Sequence, residues 1–111
     1  MKIIHMTKDG WYEKGLMLFG KDQLSWKFIC PACESIISIK DYQDLKAPDG
    51  AIAYACIGRF LPKSDSQKAF SKEKRIKGKP CDYTTGGVFN ISPVEIEDQR
   101  YFNFYHEKDG K

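Results

Sequence analysis

No stretch of this chain approaches the roughly 20 apolar residues that a bilayer crossing needs, so no membrane span is expected. Residues 1–20 lack the apolar core and small-residue cleavage site of a leader peptide, which argues against secretion and for a cytoplasmic protein. Histidine is scarce: His5 and His106 lie near the ends, outside any recognisable motif, and both read as surface residues. The chain has no GxGxxG, P-loop, HExxH or nucleophile elbow. Gly86-Gly87 follows no phosphate-binding pattern, and Glu34 beside Cys33 lacks the HxE pair of a deaminase. Internal repeats are absent. Without an acid–base or nucleophile constellation, no enzymatic activity is expected.

What the sequence does have is four cysteines: Cys30, Cys33, Cys56 and Cys81. Cys30-Pro31-Ala32-Cys33 is a CxxC knuckle. Cys56 and Cys81 stand singly downstream, so two ligands from a tight turn would meet two delivered from elsewhere. Zn²⁺ favours such tetrahedral thiolate cages, and a closed set of four leaves no position for water or substrate. The expected role is therefore structural. A zinc ribbon would carry a second CxxC. Here Cys56-Ile57-Gly58-Arg59 has Arg59 where its last cysteine belongs, and Cys81 replaces it after an insertion. Three readings compete. Disulfides fit poorly with a reducing compartment. A redox CxxC would open a helix, whereas Ser35-Ile36-Ile37-Ser38-Ile39 reads as a strand. Buried, unliganded thiols are the third.

The 111 residues suit a single domain, 1–111, whose modest core gains from a metal staple. The formal net charge of +3 counts the cysteines as neutral. Four thiolates and one Zn²⁺ together lower it by two, so overall charge selects no partner. Its distribution is polarised: residues 59–79 hold eight basic side chains against Asp65 and Glu73.

Along the chain, Ile3 and Ile4 suggest a short edge strand within residues 1–5. Thr7 is a candidate N-cap for a helix with Trp11, Gly15, Leu18 and Phe19 on one core-facing stripe and Gly20 at its end. Gly10 and Gly15 weaken that helix. Trp26–Ile29 and Ser35–Ile39 read as strands flanking the knuckle, Asp41–Lys46 as a short helix, and Ala47-Pro48-Asp49-Gly50 as a turn. Ala51–Cys56 and Gly86–Ile91 read as strands. Val94–Glu97 and Arg100–Tyr105 read as a hairpin around Asp98-Gln99. The expected fold is α+β: one small antiparallel, zinc-ribbon-like sheet tied at one end by the four-Cys site, with an N-terminal helix and a basic insertion over 60–80.

Within the insertion, Gln67–Ile76 suggests a short basic helix. Lys68, Lys72, Lys74, Arg75 and Lys77 are its candidates for a phosphate backbone, with Phe60, Phe70 and Tyr83 near enough in sequence to stack bases. A solvated loop whose lysines only keep the protein soluble is the plainer alternative. In Tyr101-Phe102-Asn103-Phe104-Tyr105, strand alternation places Phe102 and Phe104 on one face and Tyr101, Asn103 and Tyr105 on the other. Tyr101 and Tyr105 are thus candidate partner contacts, or else core or dimer residues.

The blocks Leu18-Phe19-Gly20, Trp26 through Cys33, Ala47 through Ala51, Cys56-Ile57-Gly58-Arg59 and Lys79 through Tyr83, followed by Gly86-Gly87, resemble a family of small proteins encoded by bacteriophages and prophages. The resemblance covers most of the chain. It implies a zinc-binding fold, a phage origin and no catalytic residues. At family level the chain is also similar to anti-CRISPR proteins that block type II effectors. That likeness implies a cytoplasmic inhibitor, in an infected bacterium, of a Cas9-type nuclease. Many such inhibitors are acidic DNA mimics. A near-neutral chain with a basic loop fits docking on a protein surface better than mimicry. A nucleic-acid-binding zinc module, such as a phage regulator, is the alternative.

Overall fold

The computed structural model describes residues 3–70, 76–87 and 90–105. Helix α1, Lys8–Phe19, starts where the Thr7 hydroxyl accepts from the Gly10 N–H at 2.9 Å, and Gly20 ends it. Capping by a Thr side chain satisfies one of the donors that an N-terminus leaves unpaired. Gly15, unfavourable for a helix, is explained by packing: a Cβ there would fall within the Trp26 ring. The helix thus sits directly on Trp26, which is fully buried and donates its indole N–H to the Gly20 carbonyl at 2.9 Å.

Among the described residues, six short strands form two sheets. Strands β1 (Ile4–His5), β4 (Val94–Ile96) and β5 (Gln99–Tyr101) make one, in the order β1-β4-β5. Strands β2 (Lys27–Ile29), β3 (Ile36–Ser38) and β6 (Asn103–Phe104) make the other, in the order β3-β2-β6. The single antiparallel sheet expected is therefore corrected to two, and β1 pairs with β4 in parallel. The remaining pairings are antiparallel.

Phe102 lies between β5 and β6 and divides the predicted Arg100–Tyr105 strand. Its N–H leaves both ladders and donates to the Ala53 carbonyl at 2.7 Å. Burial still alternates as expected: Phe102 and Phe104 are buried, while Tyr101, Asn103 and Tyr105 are half-buried. Between the sheets and α1, Trp11 stacks near Phe28 and Phe104 with ring centroids at 6.0 and 5.1 Å. The helical stripe faces the core, as its spacing predicts.

Helix α2 runs over Ile39–Asp44, two residues earlier than expected. Ser38 and Asp41 form a reciprocal capping box there, with bonds of 3.1 and 2.9 Å. Tyr42 on α2 is buried and donates to the Ala55 carbonyl at 2.7 Å; burial pushes its hydroxyl up from the ordinary tyrosine range.

Three expected elements are corrected. Ala51–Cys56 is not a strand. A 3-10 turn over Asp49–Ala51 leads into further turns, and Ala53 adopts a φ of 57° that no ladder accommodates. Ala51, Ala53 and Ala55 are all buried, so these small residues pack closely without sheet bonding. A single bridge, Ala55 to Thr84, remains.

Gly86–Ile91 is not a continuous strand either. Gly86-Gly87 belong to a turn closed by the Gly87 N–H on the Thr84 carbonyl, Asn90 and Ile91 carry no ladder, and Val88-Phe89 lie outside the described residues.

The Gln67–Ile76 helix does not form over Gln67–Phe70. Gln67 instead bridges to Cys81. Its side chain donates to the carbonyls of Ile76 (2.6 Å) and Lys79 (2.8 Å) and accepts from the Ile76 N–H (2.9 Å), closing the neck of this excursion. Residues 71–75 lie outside the described residues.

Candidate metal centre

The first two thiols come from the turn between β2 and β3. The Cys30 N–H donates to the Ser35 carbonyl at 3.0 Å, and the Glu34 N–H donates to the Cys30 carbonyl at 2.8 Å. Glu34 takes a left-handed φ of 64° to complete the reversal. The third comes from the end of the irregular segment, where the Cys56 N–H is held by the Tyr83 carbonyl at 2.8 Å. A 3-10 turn over Ile57–Phe60 follows. The fourth is carried back by the end of the insertion, pinned by the Gln67 N–H on the Pro80 carbonyl at 2.9 Å.

Gly58 is what lets the last two strands of chain meet. A Cβ at this position would overlap the Cys81 backbone itself. The sequence marks Gly58 as a small turn residue; its larger role is to admit a second chain segment. Arg59, at the ribbon's missing cysteine position, is exposed, and its guanidinium donates to the Asp82 carbonyl at 3.1 Å.

All four thiols are buried, and their Sγ atoms lie within 4.8 Å of one another. Cys30 and Cys81 are 3.9 Å apart and Cys33 and Cys56 are 3.7 Å apart. Disulfide sulfurs lie at about 2.05 Å, so these cysteines are free. A tetrahedron with metal–sulfur bonds of about 2.3 Å has edges of about 3.8 Å. The two opposite Sγ pairs match such edges.

The surroundings suit thiolates. The Cys81 N–H points to the Cys56 Sγ at 3.4 Å, the Tyr83 N–H to the Cys81 Sγ at 3.5 Å, and the Ser35 hydroxyl lies 3.0 Å from the Cys33 Sγ. Donors of this kind steady ligand orientation and negative charge. Ser35 is a contributor that the spacing of the cysteines does not reveal. Without a cation the thiols must share protons. Their mutual hydrogen bonds push Cys30 up, chiefly through Cys33, and hold Cys33 down, chiefly through Cys30. Donor number, donor type, spacing and outer contacts all fit one metal ion.

The other predicted contacts are less gathered. Lys68 and Lys77 are exposed, and the Lys77 ammonium lies 3.8 Å from the Glu34 carboxylate. Lys72, Lys74 and Arg75 lie outside the described residues. Tyr101 is half-buried in β5 with its ring against Tyr54, centroids 6.2 Å apart, whereas Tyr105 follows β6 in the other sheet. Tyr83 is corrected as a base-stacking candidate. It is buried against Phe102, and its hydroxyl bonds Ser92 at 3.0 Å.

No curated protein and no solved structure matches the chain. The sequence model of the VVA0879-like family matches residues 7–105, a span that includes all four thiols and every strand except β1, and the chain belongs to that family.

Proposed function

We propose that this chain is a zinc-stapled binding protein that acts by docking on another protein. The observation that carries the reading is the closed set of four buried thiols. They would fill every position of a tetrahedral Zn²⁺ site, so the ion would hold segments together and would have no vacancy for a reactant. A d¹⁰ ion also suits a purely structural task, being redox-inert and indifferent to small distortions.

Protein contact is supported by side chains that solvent does not favour. Met17 is 79% exposed, Ile76 59% and Ile36 47%. Nucleic-acid binding has less support among the described residues, because Tyr83 is buried and Lys77 faces Glu34. The finer proposal is inhibition of a host defence complex of the Cas9 type by a phage-encoded protein. It draws on the resemblance noted in the sequence, and the near-neutral charge favours surface docking over DNA mimicry.

The test is affinity capture of tagged protein from nuclease-treated lysate of a CRISPR-bearing bacterium, read by mass spectrometry, followed by a cleavage assay. One dominant effector retained without nucleic acid, and inhibited at stoichiometric excess, is expected. Partners lost on nuclease treatment would transfer the function to nucleic-acid binding. Capture without inhibition would leave a docking protein that is not an inhibitor.

A further inference from the structure

A zinc ribbon sets the spacing of its second ligand pair by placing both thiols in one tight turn. Here Cys56 and Cys81 are 25 residues apart, and Arg59 stands where that turn's last thiol would be. Something other than proximity along the chain must hold these two thiols in register. The segments that carry them are joined through Tyr83. Its carbonyl accepts from the Cys56 N–H at 2.8 Å, and its N–H points to the Cys81 Sγ at 3.5 Å. A bridge between Ala55 and Thr84 continues the contact, followed by the Thr85 N–H on the Tyr54 carbonyl at 2.8 Å.

Behind that contact lies a chain of three buried hydroxyls. Tyr83 Oη is 3.0 Å from Ser92 Oγ, Ser92 Oγ is 2.8 Å from Thr85 Oγ1, and Thr85 Oγ1 donates to the Tyr54 carbonyl at 2.6 Å. Each hydroxyl has one proton to give. Thr85 gives its own to Tyr54, so it accepts from Ser92, and Ser92 in turn accepts from Tyr83. The Asn90 Oδ1, at 3.5 Å, is the longer choice for the Tyr83 proton. Tyr83 Oη also accepts the Ile91 N–H at 2.8 Å, and the Ser92 carbonyl accepts from Arg100 Nε at 2.7 Å, which ties the chain to β5. A buried polar network satisfied at every link is rigid. This one starts two residues after Cys81 and ends two residues before Cys56.

We propose that Tyr83, Ser92 and Thr85 are positioning residues of the metal centre: their hydroxyl chain replaces the missing second knuckle and sets the spacing of Cys56 and Cys81 around the ion. The proposal rests on the reading of the four thiols as a metal site and not on the docking role. Tyr83 is the pivot, because the hydroxyl chain holds its ring while its backbone meets both thiol-bearing segments. Ordinary core packing supports all four thiols alike, and weakening it leaves the geometry at the ion unaltered. Loss of the hydroxyl chain instead frees one pair of ligands relative to the other.

The test loads the full chain with Co²⁺, whose visible bands report the symmetry of its thiolate shell, and measures Zn²⁺ retention against a chelator. Tyr83→Phe and Thr85→Val keep the shape of the side chain and break the hydroxyl chain. Each is expected to alter the Co²⁺ bands and to weaken Zn²⁺ retention about tenfold, the lower end for loss of an outer contact at a metal site. Thr85→Ser, which keeps the hydroxyl, retains the native bands and affinity. Phe104→Leu, in the aromatic cluster and outside the hydroxyl chain, lowers the thermal midpoint and leaves the Co²⁺ bands in place. Native bands and retention in both Tyr83→Phe and Thr85→Val overturn the proposal, as do bands that Phe104→Leu shifts equally. A native chain that takes up neither Co²⁺ nor Zn²⁺ is a different failure: it removes the metal reading itself, and the positioning role with it.

Discussion

Gly58 has the least to lose chemically and the most to lose sterically. A Cβ added here would overlap the Cys81 backbone, which cannot swing aside as a side chain could. Gly58→Ala is expected to destabilise the protein by about 3 kcal/mol, the upper end for overpacking. It should also weaken retention of the proposed metal, because the backbone that must retreat carries one of the four clustered thiols. Denaturant unfolding and chelator competition read the two effects. An unchanged midpoint would show that Cys81 has room to move. Gly58 was legible as a turn residue, since a knuckle wants a small side chain. Its contact was not, because nothing local says that a segment more than twenty positions away arrives there. Ser35 was hidden for a similar reason: a hydroxyl two residues after a thiol could serve the thiol, the turn or solvent.

The β4–β5 hairpin shows where local sequence and local backbone disagree. Its turn is made by Glu97 (φ 50°) and Asp98 (φ 68°), a conformation that Asn-Gly adopts at far lower cost. Glu97→Asn combined with Asp98→Gly is expected to raise stability by about 1 kcal/mol, read as a higher denaturant midpoint at unchanged slope. A lower midpoint would mean that the native acids make contacts worth more than the strain.

Helix α1 was legible almost to the residue because cap, stripe and terminal glycine agree. The start of α2 was missed although Ser38 and Asp41 hold the capping-box spacing, since Ile36-Ile37-Ser38-Ile39 reads more strongly as a strand. Ala51–Cys56 failed in the opposite sense. Its small apolar residues are buried, but left-handed Ala53 diverts the backbone, and φ leaves no trace in an apolar run.

The two sheets, α1 and the returning insertion are small pieces, and none could bury enough surface to stand by itself. Four thiols drawn from three separate segments join the turn between β2 and β3, the irregular segment that ends at Cys56 and the returning insertion. Removal of the metal by a strong chelator is therefore expected to abolish the cooperative thermal transition, with recovery on adding back Zn²⁺, as metal binding and folding are coupled in domains of this size. Cys56→Ser should mimic the loss. Metal-free protein with an intact transition would assign the core sufficient strength and reduce the ion to a passenger. The cysteines made the four-thiol cluster legible from sequence. The arrangement of strands into two sheets was not, because Phe102 passes the chain from one to the other through a bond to Ala53 that no periodicity encodes.

Gln67 has a further consequence. Its one side chain clasps the backbone at Ile76 and Lys79, so the excursion between is sealed off before it reaches Cys81. Doubling the length of such a loop adds only about 0.6 kcal/mol of closure entropy. Ala69 is buried in the core and its N–H donates to the Asp82 carboxylate at 2.8 Å, so the domain has the make-up of a display scaffold only beyond that anchor: foreign sequence spliced between Phe70 and Ile76 would leave the thiol cluster undisturbed.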